Sequence, residues 1–85
     1  MKELFKRYEE LEAITNRLEE AVEADPENEE LETAWNEAYK NEYKTFEALI
    51  EKIVSISHGM IDNKTARAMI ITKRKELKAL VARMA

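Results

Sequence analysis

The sequence predicts an all-α protein, a three-helix antiparallel bundle in up-down-up order with a long central helix. Its 85 residues are 45% hydrophobic and 38% charged, a balance typical of helical bundles rather than of disordered chains. Apolar residues recur at helical spacing in three segments. The single proline, Pro26, and the single glycine, Gly59, stand between these segments, where such residues begin and end helices. One domain accounts for a chain of this length.

The first helix is predicted over about residues 2–24. Its apolar positions form two series with seven-residue spacing, Leu4, Leu11 and Leu18, and Tyr8, Thr15 and Val22. This pattern is a coiled-coil-like seam in which Thr15 is the polar member. We expect the helix to end at Ala24, because proline disfavours helical dihedral angles in the residue before it.

The second helix is predicted over about residues 26–58. Asp25 is expected to cap its first turn, Pro26 to occupy the first helical position and Gly59 to adopt a left-handed conformation at its end. Apolar residues cover more than half of its circumference, namely Leu31, Trp35, Ala38, Tyr39, Tyr43, Phe46, Leu49, Ile50, Ile53, Val54 and Ile56. A face of that width predicts packing against two neighbouring helices.

The third helix is predicted over about residues 62–84, with Asp62 as its cap. One side is apolar, and the opposite side carries five cations, Lys64, Arg67, Arg74, Lys75 and Lys78. Acidic residues predominate before His58. We interpret this asymmetry as attraction between oppositely charged helices of one bundle.

Three predicted helices overlap only in the middle of the molecule, so the far end is expected to be two helices thick. Nine apolar residues would lie there, Ile50, Ile53, Val54, Ile56, Met60, Ile61, Met69, Ile70 and Ile71. Leaving large aliphatic side chains in water costs about 1.5 to 3 kcal/mol each. The sequence therefore predicts a homodimer that closes this end into a four-helix bundle. The alternatives are a helix from another protein, or a bend in the second helix between residues 41 and 45.

Polar residues at the centres of the apolar stripes predict a buried polar layer formed by Arg7, Tyr8, Glu42 and Lys73. We interpret this layer as structural, since it would fix helix register while adding little net stability. The alternative is a charged pocket for a small anion or carboxylate. A minor enzymatic hypothesis would centre on Arg7, Glu42 and Lys73.

The chain carries no catalytic, metal-binding, nucleotide-binding or family signature, and neither an enzyme activity nor a cofactor is predicted. Its cysteine count is zero, which excludes disulfides and thiolate metal sites. His58, the one histidine, is expected to cap helix carbonyls rather than to bind a metal. Neither a signal peptide nor a membrane span is predicted, and cytoplasmic localisation is the default expectation.

The predicted function is that of a small, non-enzymatic protein interaction module, an adaptor, regulator or inhibitor of bacterial or phage type. Its expected partner is a second copy or another protein, with no small-molecule substrate. One alternative is an acidic inhibitor that mimics nucleic acid and occupies the basic groove of another protein. A second alternative is a nucleic-acid-binding accessory protein that contacts phosphates through the basic side of the third helix.

Overall fold

The computed structural model describes residues 1–84, which form four helices: α1 (Lys2–Ala24), α2 (Glu29–Ile56), α3 (Asn63–Thr72) and α4 (Arg74–Met84). All regular structure within these residues is helical, which confirms the predicted all-α class. The two long helices form an antiparallel hairpin about which the molecule is built, and its overall dimensions are 46 × 20 × 18 Å. The short helices α3 and α4 pack on one end of this hairpin.

The turn between α1 and α2 differs from the predicted one by three residues. The cap of α2 is Asn28 rather than Asp25: its Oδ1 accepts hydrogen bonds from the backbone N–H groups of Glu30 (3.1 Å) and Leu31 (3.3 Å). Asp25 instead closes the turn, since its carbonyl accepts from the Asn28 N–H at 3.1 Å. Two cap-forming side chains compete here, and the helix begins after the second of them.

The connection from α2 to α3 reverses the chain through two residues in the left-handed region, His58 (φ 53°) and Gly59 (φ 82°). The buried hydroxyl of Ser57 organises this loop, because it accepts from the Ile61 N–H at 3.1 Å and donates to the Val54 carbonyl at 3.1 Å. Asp62 caps α3 as predicted, with its Oδ1 accepting from the Thr65 N–H at 2.7 Å.

The sequence predicted one continuous third helix, and the structure instead has two, separated at Lys73 (φ −139°, ψ 43°). Ala66, Ile70, Leu77 and Val81 are all buried, at intervals that place Lys73 on the same side of an unbroken helix. Burying an unpaired ammonium group is costly. The break leaves Lys73 exposed and turns α4 back over the end of the hairpin that α3 already covers.

The core therefore lies at one end of the molecule. It consists of Phe5, Tyr8, Leu49, Ile50, Ile53, Ile61, Ala66, Ile70, Leu77 and Val81. We call this end the head, formed by residues 1–10 and 44–84. The remaining residues, 11–43, form a two-helix arm in which only Thr15 and Ala38 are buried. The Thr15 hydroxyl donates to the Leu11 carbonyl at 2.9 Å, which satisfies the polar member of the seam.

Two leucines of α4 provide a test of this packing. We expect Leu77→Ala to lower the free energy of unfolding by about 2 to 5 kcal/mol, because Leu77 is fully buried and its removal leaves a cavity. Leu80→Ala, the matched control on the exposed side of the same helix, should cost at most about 1 kcal/mol. Urea unfolding measures both, and equal losses for the two variants would contradict the position of α4.

Candidate functional site

A network of charged side chains ties α4 to α1. The guanidinium of Arg74 meets the carboxylate of Glu12 through two parallel hydrogen bonds, of 2.8 and 3.0 Å. Its Nε donates to the Ile70 carbonyl at 3.0 Å, and its plane lies over the Tyr8 ring, with Cζ 5.2 Å from the ring centroid. One turn further along α4, the Nζ of Lys78 donates to Glu9 at 2.7 Å. These contacts fix the direction in which α4 returns.

The network shifts the protonation equilibria of its members. The hydrogen bonds from Arg74 hold the pKa of the Glu12 carboxyl below its usual value of 4.5. The pKa of Arg74 is raised, first of all by the same hydrogen bonds. Burial is the largest cause that raises the pKa of the Tyr8 hydroxyl, which reaches about 12. At neutral pH the arginine and the carboxylate are therefore both charged and Tyr8 is neutral.

A second ion pair joins α3 to α2. Arg67 Nη2 donates to Glu47 Oε2 at 2.7 Å, and its guanidinium lies 5.7 Å from the centre of the Phe46 ring. Together with Arg74 and Lys78, this accounts for three of the five cations that the sequence assigned to a phosphate-binding side. Lys64 and Lys75 are exposed. The basic side of the predicted third helix is thus largely occupied by contacts within the chain.

Of the four residues of the predicted polar layer, the structure brings only Tyr8 and Glu42 together. Tyr8 is buried and Glu42 is half-buried, but Arg7 and Lys73 are exposed. The cation that approaches Tyr8 is Arg74, the residue after Lys73, since the break in the third helix leaves Lys73 exposed and places Arg74 against α1.

Most of the predicted apolar interface at the far end is buried or half-buried within the single chain. Four isoleucines are buried in the core, Ile50, Ile53, Ile61 and Ile70. Val54, Ile56 and Met69 are half-buried against that core, while Met60 and Ile71 remain exposed. The return of α4 supplies the cover that the sequence argument assigned to a second chain, so exposed aliphatic side chains no longer favour an interface here.

An aromatic cleft of about 240 Å³ lies where the arm meets the head. It is lined by Tyr8, Tyr39, Glu42, Tyr43, Phe46 and Ile71. Tyr39 and Tyr43 are each 52% exposed, and Ile71, at the end of α3, is 71% exposed. Trp35 continues the cleft along the arm with its ring centroid 5.7 Å from that of Tyr39. The buried Nε1–H of Trp35 lacks an acceptor among the described residues.

The sequence predicted that the apolar face of the second helix packs against two neighbouring helices, but Tyr39 and Tyr43 on that face are each about half exposed. An unbroken third helix would instead continue along α2 towards the arm. Because α4 turns back at Lys73, it does not extend over these two rings, and about half of each side chain stays exposed. The sequence feature that indicates the break is Lys73 itself, a lysine at the centre of an apolar stripe.

The arm and the head also differ in net charge. The arm contains eleven acidic and two basic residues, a net charge of −9. The rest of the chain contains seven acidic and twelve basic residues, a net charge of +5. A groove of about 630 Å³ is lined by residues of α1 and α2 without any from α3 or α4, and its lining includes Leu4 and Ala48, the cations Lys6, Arg7, Lys44 and Lys52, and the acids Glu3 and Glu10.

Comparisons with models of protein families, with curated proteins and with solved structures find no match for this chain. Among residues 1–84, three or more side chains suited to binding a metal ion do not gather at any point. None of the four helices combines the length and apolar character that crossing a membrane requires. His58 is exposed in the connection between α2 and α3.

The Glu12 carboxylate makes a testable contribution to stability against acid. Since its pKa is lowered in the folded state, the stabilisation is complete above about pH 5 and is lost as the pH falls through the folded value. We expect Glu12→Gln to reduce the free energy of unfolding by about 1 kcal/mol at pH 7. The difference from wild type should shrink towards pH 3. Thermal unfolding at each pH measures it, and Glu20→Gln, an exposed carboxylate on the same helix, is the control. A constant difference at all pH values would contradict the assignment.

Proposed function

We propose that this chain is a non-enzymatic, helical protein interaction module that binds a cationic partner through the arm. The observation that carries the proposal is the aromatic cleft, an apolar surface left partly uncovered where the acidic arm meets the head. Rigid aromatic side chains that keep a polar atom are enriched in protein interfaces, because they bury much area at low entropic cost.

The residues of the cleft favour a partner that inserts a lysine or an arginine. Glu42 supplies a carboxylate, and the rings of Tyr39 and Tyr43 supply the electron-rich faces that attract cations. The chain uses this chemistry itself beside the cleft, where Arg74 lies over Tyr8 and Arg67 over Phe46. Those two arginines are held by Glu12 and Glu47.

The shape of the arm favours a helical partner. Two antiparallel helices present a shallow groove along their length, and a third helix lying in it would complete the bundle that α3 and α4 complete at the head. An amphipathic helix with an apolar stripe and a basic side would bury Trp35, Tyr39 and Tyr43 and face the net charge of −9 on the arm.

The single tryptophan gives a direct assay, because Trp35 lies against Tyr39 and its fluorescence responds to cover of the cleft. The probe is a synthetic amphipathic helix of leucine, lysine and arginine, titrated into the protein. We expect the double variant Tyr39→Ala, Tyr43→Ala to lose about 2 kcal/mol of binding energy, or about thirtyfold in affinity. Met60→Ala is the control, since Met60 is exposed but lies in the loop after α2.

The charge on the arm also favours the acidic nucleic-acid mimic as a second candidate, and the same titration separates the two. A mimic binds by charge, so a lysine and serine peptide of equal charge should bind as tightly as the leucine-containing one. The tyrosine substitutions would then have no effect. Binding should vanish in about 1 M salt, where the Debye length is about 3 Å. That outcome would reject the aromatic cleft as the binding surface.

The predicted homodimer also remains a proposal, although the isoleucines of the head no longer provide its surface.

A further inference from the structure

The side of the hairpin opposite α3 and α4 carries a row of α2 residues at helical spacing. The row consists of Glu30, Ala34, Glu37, Asn41, Lys44, Ala48 and Lys52. Steps of three and four residues keep all seven on one face of the helix. All are exposed except Ala34, which is half-buried. The cations at its head end flank the groove described above.

The charges of this row are complementary to those of the same row taken in the opposite direction about Asn41. Glu30 and Lys52 lie eleven residues to either side of it, and Ala34 and Ala48 lie seven residues to either side. Glu37 precedes it by four residues and Lys44 follows by three. Reversal therefore exchanges each acid for a base and each alanine for an alanine.

We propose that a second copy of this chain packs antiparallel on this face, with the two-fold axis of the dimer passing close to Asn41. In that arrangement α2 lies against α2 of the partner copy. Lys44 and Lys52 of one copy meet Glu37 and Glu30 of the other, and the two-fold axis repeats each contact. Small side chains at Ala34 and Ala48 allow the helices to approach closely.

The α1 half of the same face supplies an apolar centre. Tyr8 lies against Phe46, so the antiparallel register of the hairpin places Ile14 near the level of Asn41. Ile14 is 42% exposed, and it would be covered by the partner copy at the middle of the interface. The molecular dimensions of 46 × 20 Å limit this face to roughly 900 Å², so a stable interface of about 800 Å² per partner would use nearly all of it.

Charge selects this arrangement over a parallel one. A parallel dimer would place Lys44 opposite Lys44 and Glu37 opposite Glu37, whereas the antiparallel one places the acidic arm of each copy on the basic head of the other. The aromatic cleft opens on the opposite side of the hairpin. The dimer is therefore independent of the proposed partner site, and either proposal can fail without the other.

A charge-swap experiment tests the pairing. We expect the wild-type protein to have a molar mass, measured by light scattering on a sizing column, that is twice the 9.9 kDa of one chain. The variant Lys44→Glu, Lys52→Glu should be a monomer, because acids then face acids. The variant Glu30→Lys, Glu37→Lys should also be a monomer, because bases face bases. An equal mixture of the two variants should restore the dimer, since every contact again joins opposite charges.

Circular dichroism confirms that each variant is folded before its molar mass is measured. The control Lys64→Glu, Lys75→Glu makes the same change of charge on α3 and α4, and it should remain a dimer. A wild-type monomer at every concentration would overturn the proposal. A dimer formed by either charge-swap variant on its own would also overturn it, because the interface would then lie elsewhere. A mixture that stays monomeric would overturn the antiparallel pairing.

Discussion

The break at Lys73 is the constraint on which the rest of the structure depends, and the paired hydrogen bonds between Arg74 and Glu12 fix the direction of the chain after it. They hold the first turn of α4 against the middle of α1, so that α4 lies over the head instead of extending along the arm. The ring of Tyr8 supports the same guanidinium. Because this contact directs α4, it also decides which apolar surfaces are buried and which remain in water.

The result is a molecule with two ends of different character. At the head, four helical segments enclose a core that includes Leu49, Ile53, Ile70 and Leu77. On the arm, two helices share a narrow seam, and aromatic residues that a longer third helix would cover are open to a partner. The surfaces proposed for binding follow from the difference between these ends. One is the uncovered aromatic cleft, and the other is a face on which the opposite charges of head and arm can meet.

Local signals in the sequence determined a large part of this fold. The heptad spacing of α1, the uninterrupted apolar face of α2 and the cap at Asp62 were all readable, because each depends on neighbouring residues. The break at Lys73 was not predicted, since neither glycine nor proline stands there. Its cause is tertiary: a continuous helix would bury an ammonium group, and Arg74 finds a carboxylate only if the chain turns. The aromatic cleft was missed for the same reason.

The two-helix arm has a consequence for the internal motions of the protein. Local unfolding requires the least free energy where the fewest apolar contacts must be broken, and in the arm only Thr15 and Ala38 are buried. The tip of the hairpin should therefore open and close while the head remains folded. A ligand that covers the arm would suppress this local unfolding, and the cost of ordering the helix ends would lower its affinity. Recognition at this surface is thus coupled to the stability of the least stable unit of the fold.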